Sequence, residues 1–147
     1  MGKFKVIRAQ EEYQRAGAYS VRIQGMNREH HISLREEFDE HDGAECKYIV
    51  LLDDEYPVAT CRFYPLSESR VLVGRVVVLP EYRGKELGRK VICEVEKWIS
   101  ELGYSEVVID SRLVAEGFYK KLGYSRESDE VFNSWKFECV RMYKRLK

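Results

Sequence analysis

The stretch Val71-Leu72-Val73-Gly74-Arg75-Val76-Val77-Val78-Leu79-Pro80-Glu81-Tyr82-Arg83-Gly84-Lys85-Glu86-Leu87-Gly88-Arg89 changes its hydrophobic period at Pro80. Before the proline, Val71 to Leu79 is a β-branched run almost without polar interruption, which suits a central strand buried on both faces. After it, Leu87, Val91, Val95, Trp98 and Leu102 recur at spacings that stack them on one helical face. The stretch therefore predicts a strand, a turn and a helix over about 85–102, with Gly103 supplying the left-handed residue that ends it.

Working outward, the strand-then-helix order occurs once more. Val107-Val108-Ile109 reads as a buried strand, and Leu113 to Leu122 as a shorter helix stopped by Gly123. Two final strands are expected over about Tyr124 to Glu130 and Lys136 to Lys144. Upstream, Phe4 to Arg8 alternates as a first strand, and residues 10–35 have helical composition interrupted near Gly25-Met26-Asn27, read as two helices joined by a loop. A charged stretch, Arg35 to Gly43, closes on the turn signal Asp42-Gly43. Tyr48 to Leu52 and Pro57 to Tyr64 flank Asp53-Asp54-Glu55 as a hairpin. The expected fold is α/β with α+β character: a mixed, mostly antiparallel central sheet of about seven strands flanked by about four helices, in a single domain over 1–147.

The totals narrow the function classes. Lys plus Arg and Asp plus Glu stand at 25 each, so no global field favours nucleic acid. Cys46, Cys61, Cys93 and Cys139 are widely spaced and fit neither a disulfide framework nor a zinc site, so no metal is expected and the thiols read as reduced, cytoplasmic ones. The N-terminal Met1-Gly2-Lys3-Phe4-Lys5-Val6-Ile7 lacks the apolar stretch of a signal peptide, and no window approaches the roughly 20 apolar residues of a membrane span. A soluble protein is expected.

At the junction of strand and long helix, Gly84 and Gly88 permit close backbone approach while Arg83, Lys85 and Arg89 supply cations. A helix N-terminus adds unpaired N–H groups and a positive dipole end, so phosphate is the natural ligand. A basic surface turn is the plainer alternative. A Walker loop is excluded because no Gly-Lys-Ser/Thr follows, and the glycine spacing does not fit a dinucleotide-binding fingerprint.

The string Val76 to Gly88, followed by Ala115-Glu116-Gly117-Phe118-Tyr119-Lys120-Lys121-Leu122-Gly123-Tyr124, resembles the GNAT superfamily of N-acetyltransferases. Arg83 and Gly88 match its Gln/Arg-x-x-Gly-x-Gly/Ala cofactor motif, and the second string its Ala-x-x-Phe-Tyr segment. Tyr19-Ser20-Val21-Arg22, the cluster Glu37 to Asp42 and Cys139-Val140-Arg141-Met142 resemble the ElaA-like branch. Three positions depart from the pattern. Glu86 stands where glycine is usual, Arg112 replaces an Asn or Gln, and Cys139 stands where that branch often has histidine.

The resemblance implies acetyl-CoA as acyl donor and an unidentified amine acceptor, with a homodimer left open. Its cofactor-binding residues would be Val76, Val77, Val78, Arg83, Gly84, Lys85, Glu86, Leu87, Gly88, Arg89, Arg112 and Phe118. The backbone of Val76 and Val78 would pair with the pantetheine arm as an added strand, the Val78 N–H would hold the thioester oxyanion, and the amides of residues 83–88 would hold the pyrophosphate. Tyr119 matches the family tyrosine that acts as general acid to the departing thiolate. The base is left open among Glu29, His30, His31, Glu37, Asp39 and His41, and the acidic run Glu36 to Asp42 suggests either a cationic acceptor or a solvated loop. Alternatives to the enzyme are a CoA-binding regulatory or interaction module without turnover, and a nucleotide-binding protein using the same turn.

Overall fold

The computed structural model describes residues 3–43 and 45–146. Met1 and Gly2, which head the segment read against a signal peptide, and Lys147 lie outside them. Among the described residues seven strands form one sheet in the order β1-β2-β3-β4-β5-β7-β6. They are β1 (Phe4–Arg8), β2 (Lys47–Asp53), β3 (Tyr56–Pro65), β4 (Arg70–Val78), β5 (Glu106–Arg112), β6 (Ser125–Ser134) and β7 (Phe137–Arg145). Every neighbouring pair is antiparallel except β4 and β5, which run parallel over Arg70–Val73 and Glu106–Ile109. A parallel pair needs a crossover. The long helix α4 (Leu87–Glu101) supplies it.

The strand period sorts the core into two faces. Ile49 and Leu51 of β2 join the main cluster, which includes Leu87, Val91, Val95 and Ile99 of α4. Tyr48 and Val50 join a smaller cluster with Ala18 of α1 (Glu12–Arg22) on the other side. The stripe expected on α4 holds at Leu87, Val91 and Val95. Ile92 and Ile99 are also buried, whereas Leu102 is the C-cap and is exposed because the helix has already ended at Glu101. Lys85 and Glu86 belong to the preceding turn rather than to the helix.

The expected loop at Gly25-Met26-Asn27 is instead a π-helical turn, Ile23–Asn27, through which α1 continues into a last turn, α2 (Arg28–His30). A Cβ on Gly25 would stand 2.4 Å from Val77 Cγ1, so the glycine lets the helical backbone lie directly on β4. His31, at φ +58, ends this path. Ser33 then caps α3 (Leu34–Glu37) in a capping box with Glu36. The second helix predicted downstream is split into a 3₁₀ turn, Leu113–Ala115, and α5 (Glu116–Lys121). Among the described residues no helix is long and apolar enough to cross a membrane.

Because Val77 is buried and β-branched, it cannot swing aside for an added methyl. Gly25→Ala is expected to destabilise the fold by about 1–3 kcal/mol, as overpacking of a filled core does, and denaturant unfolding measures it.

Candidate active site

A bulge in β4 creates the site. Arg62 pairs with Gly74 but Thr60 pairs with Val77, so β4 carries one extra residue against β3. Arg75, within that insertion, has φ +50, and β4 stops pairing with β5 beyond Val73. The expectation of a strand buried on both faces thus holds only as far as Val73. Beyond it β5 continues beside β7 to Arg112, and the β4 segment Val76–Val78 is left with an open edge. The Leu79 N–H donates to Val58 O at 2.9 Å, so ladder alternation turns the main-chain groups of Val78 away from β3 and toward that edge. Arg83 Nε donates to Val78 O at 3.0 Å from the open side.

A non-glycine residue in the left-handed region costs on the order of 1–3 kcal/mol, and a charge network offsets it here. The Arg75 guanidinium donates to the Glu37 carbonyl at 2.8 Å and lies 3.1 Å from the Glu37 carboxylate. Glu37 also binds Arg22 at 3.0 Å, Asp39 binds Arg62 at 2.9 Å, and Asp42 binds Arg22 and Arg62 at 2.8 Å. Burial alone would raise the Asp42 carboxyl, but hydrogen bonds from Arg22, Tyr48 and Arg62 outweigh it and hold the group well below the usual range. Three arginines thus neutralise three carboxylates. Within the acidic run Glu37, Asp39 and Asp42 are therefore neutralised from inside the fold, while Glu36 and Glu40 remain exposed to solvent.

At the other end of the open edge, Gly84 (φ +81) and Glu86 (φ +64) turn the chain into α4. The left-handed backbone at 86 explains why glycine is the easier residue there. Glu86 N-caps α4 without a side-chain cap bond, so the N–H groups of the first turn keep no local partner. The carboxylate of Glu86 leans toward Arg89, 3.5 Å away on the exposed surface. The Arg83 N–H is already given to Pro80 O at 3.3 Å, which removes one amide from the expected set. A Cβ on Gly88 would meet Phe118 at 3.2 Å, so this glycine seats the helix start against α5.

One cavity of about 920 Å³ joins these parts. Val76, Val77, Val78, Arg83, Gly84, Glu86, Leu87, Gly88, Arg89, Arg112, Phe118 and Tyr119, singled out from the sequence, all line it. Lys85 does not, and its ammonium lies over the Tyr82 ring instead. Tyr119 is 6 % exposed, and burial pushes its phenol above the ordinary value. Its hydroxyl has no hydrogen-bond partner among the described residues, and its ring packs edge-on against Phe118 and Tyr124.

Of the six candidate bases only Glu29 and His30 line the cavity. Glu29 pairs with Arg83 at 2.9 Å, and that hydrogen bond lowers its carboxyl. His30 packs edge-on against Phe137, with ring centroids 5.1 Å apart. Glu37 and Asp39 are bound by arginines, His41 stacks on Tyr64 at 3.9 Å, and His31 is exposed at the end of α2. Sequence reasoning did not assign Tyr82, Ala115, Lys121 and Leu122, which also line the cavity. They sit inside or beside the two strings that carried the resemblance, and no further signal separated them. Met26, another lining residue, lies in the interruption that the sequence presents as a loop.

Comparison with known proteins agrees with this arrangement. The model of the acetyltransferase (GNAT) family matches residues 8–124. An uncharacterized acetyltransferase in the arcA 3′ region of Streptococcus pyogenes is 32% identical over 113 residues, 77% of either chain. A Lactobacillus plantarum structure, provisionally described as an N-acetyltransferase, superposes with TM-score 0.92 at 30% identity and covers 98% of this chain and 99% of its own. Escherichia coli ElaA superposes with TM-score 0.82 over 97% of this chain and 99% of its own, a likeness of fold at 17% identity. With these matches joined to a sheet in which β4 and β5 part beyond Val73, a bulged strand and a helix start without a side-chain cap, the chain belongs to the acetyltransferase (GNAT) family and is an acetyl-CoA-dependent N-acetyltransferase.

Proposed function

We propose that the chain, acting as one cytoplasmic acyl-transfer domain, moves acetyl from acetyl-CoA to a primary amine of a small molecule or peptide by direct attack. The observation that carries this reading is the single cavity in which the open β4 edge, the unpartnered first turn of α4 and Tyr119 converge. The pantetheine arm adds to the edge of Val76–Val78 as a further strand. The Val78 carbonyl has two lone pairs, so it can accept from the cofactor while keeping its bond to Arg83. The pyrophosphate lies over the amides of residues 84–88, with Arg89 at the rim.

The amine must lose a proton before it attacks, since a free amine of this kind has pKa about 10.4. Glu29 is held ionised by Arg83 and is a poor proton acceptor, which leaves His30 to take the proton, directly or through water. Attack forms a tetrahedral oxyanion, and the Val78 N–H on the open edge donates to it. Collapse expels the CoA thiolate. Tyr119 lies in the cavity with its hydroxyl uncommitted and donates a hydrogen bond to the leaving sulfur. Because burial weakens Tyr119 as an acid, the phenol stays protonated and a hydrogen bond carries most of its effect.

Tyr119→Phe is expected to lower kcat by about 10²- to 10³-fold, the usual cost of losing one hydrogen-bond donor to a developing anion. CoA affinity should change little. Thiol release together with calorimetric binding of CoA tests this, and full turnover in the variant removes Tyr119 from the chemistry. Against pH, the wild-type rate should rise as the base and amine deprotonate and show no fall near pH 10, because the Tyr119 phenol titrates above its ordinary value. His30→Gln should move the rise upward toward the pKa of the amine itself, and an unmoved profile would exclude His30. Glu86→Gly removes a negative charge from the phosphate site and relieves a left-handed residue. It should tighten acetyl-CoA by about two- to five-fold, the equivalent of 0.3–1 kcal/mol for one charge at a helix N-terminus.

A further inference from the structure

We infer that the acceptor carries a carboxylate as well as an amine, as a small α-amino acid does, and that the Arg112 guanidinium binds that carboxylate. This rests on the reading of the chain as an amine acetyltransferase. The side chain of Arg112 lines the cavity and makes no hydrogen bond or ion pair among the described residues, although its neighbours in the fold are consistently paired. Arg83 is balanced by Glu29, Arg141 by Asp110, and Arg22, Arg62 and Arg75 by three carboxylates. Lys121 in the same lining is also unpaired among the described residues but exposed, so Arg112 is the half-buried cation of the cavity without an ion pair, and Glu29, whose ionised form its charge favours, is already held by Arg83.

Its placement is fixed. The guanidinium lies over the Phe137 ring, 3.9 Å from the centroid, a cation–π contact that holds the plane in position and leaves its N–H fork unused. His30 packs against the same ring. A proton acceptor and a carboxylate receptor thus share one aromatic support, Phe137, where α2, the end of β5 and the start of β7 meet. The pyrophosphate amides are on a separate element, the start of α4. A planar fork with no internal partner suits a carboxylate bound through two parallel hydrogen bonds. The same charge repels a polycationic acceptor.

The test uses matched acceptors with acetyl-CoA and the wild-type protein: L-leucine against 3-methylbutylamine, L-phenylalanine against phenethylamine, and L-lysine against cadaverine. Thiol release should give a kcat/KM at least about tenfold higher for the carboxylate member of a pair, since a charge-assisted bidentate contact contributes about 1.5–3 kcal/mol. Arg112→Gln should abolish that preference by raising KM, and Arg112→Lys should restore part of it. CoA affinity, measured separately, should stay within about threefold of wild type. Equal or faster turnover of the plain amines overturns the inference, as does collapse of CoA binding in Arg112→Gln, which would make Arg112 a cofactor ligand. If no amine is acetylated, thermal shift of the CoA complex by the same amino acids still decides. A shift that needs Arg112 keeps the carboxylate site while the transfer reading fails, and no shift overturns both.

Discussion

The site depends on one residue's backbone being held where it would not otherwise stay. Arg75 sits in the left-handed region inside the β4 bulge, and the extra residue there ends the pairing of β4 with β5. Without the bulge the parallel ladder would run on and its hydrogen bonds would be internal. What holds it is a nearly closed set of charges: Glu37 is 3 % exposed and Arg22 fully buried, so each is costly to leave unpaired. The bulge residue contributes its own guanidinium to the set. Strain at the backbone and pairing at the side chain are thus two ends of one residue, and neither is stable alone.

The open edge matters because unpaired strand groups in a cavity are directional donors and acceptors already in position. A cofactor that is itself amide-rich can complete the ladder with little reorganisation. The turn into α4, whose first-turn N–H groups lack a side-chain cap, comes next along the chain, so the chain order strand, turn, helix is also the order of these groups along the cavity. Tyr119 arrives from elsewhere, carried by α5, whose start is set against α4 by the contact of Gly88 and Phe118. Specific chemistry is therefore built on rigid elements.

Much of this was legible from residue patterns. Period changes at Pro80 and Gly103 gave β4 and α4 to within a residue or two and the buried centre of β5, which runs three residues further to Arg112, and the two motif strings gave most of the cavity lining. The parts that were not legible are those in which long-range contact decides. Gly25 reads locally as a breaker, and only the approach of Val77 shows it to be a spacer. The acidic run reads as a solvated or substrate-facing cluster because its arginine partners lie as far as 38 residues away, at Arg75. Lys85 fits the composition of a phosphate site, yet its side chain turns to Tyr82. Burial at Tyr119 and the lack of a partner at Arg112 are likewise properties of the assembled molecule, invisible in a string.

The π-helical turn at Ile23–Asn27 has a consequence for how this scaffold can diverge. A π turn holds one residue more than an α turn. The extra residue is absorbed within the turn, so deleting one there would restore a regular helix with Glu29 and His30 still facing the cavity, whereas the same deletion in the α-helical part of α1 would rotate everything beyond it by about 100°, at 3.6 residues per turn. Chain length can therefore vary by one residue at this turn, changing the side chain that stands at Met26 on the cavity wall, while the aim of α2 and the open edge of β4 are kept.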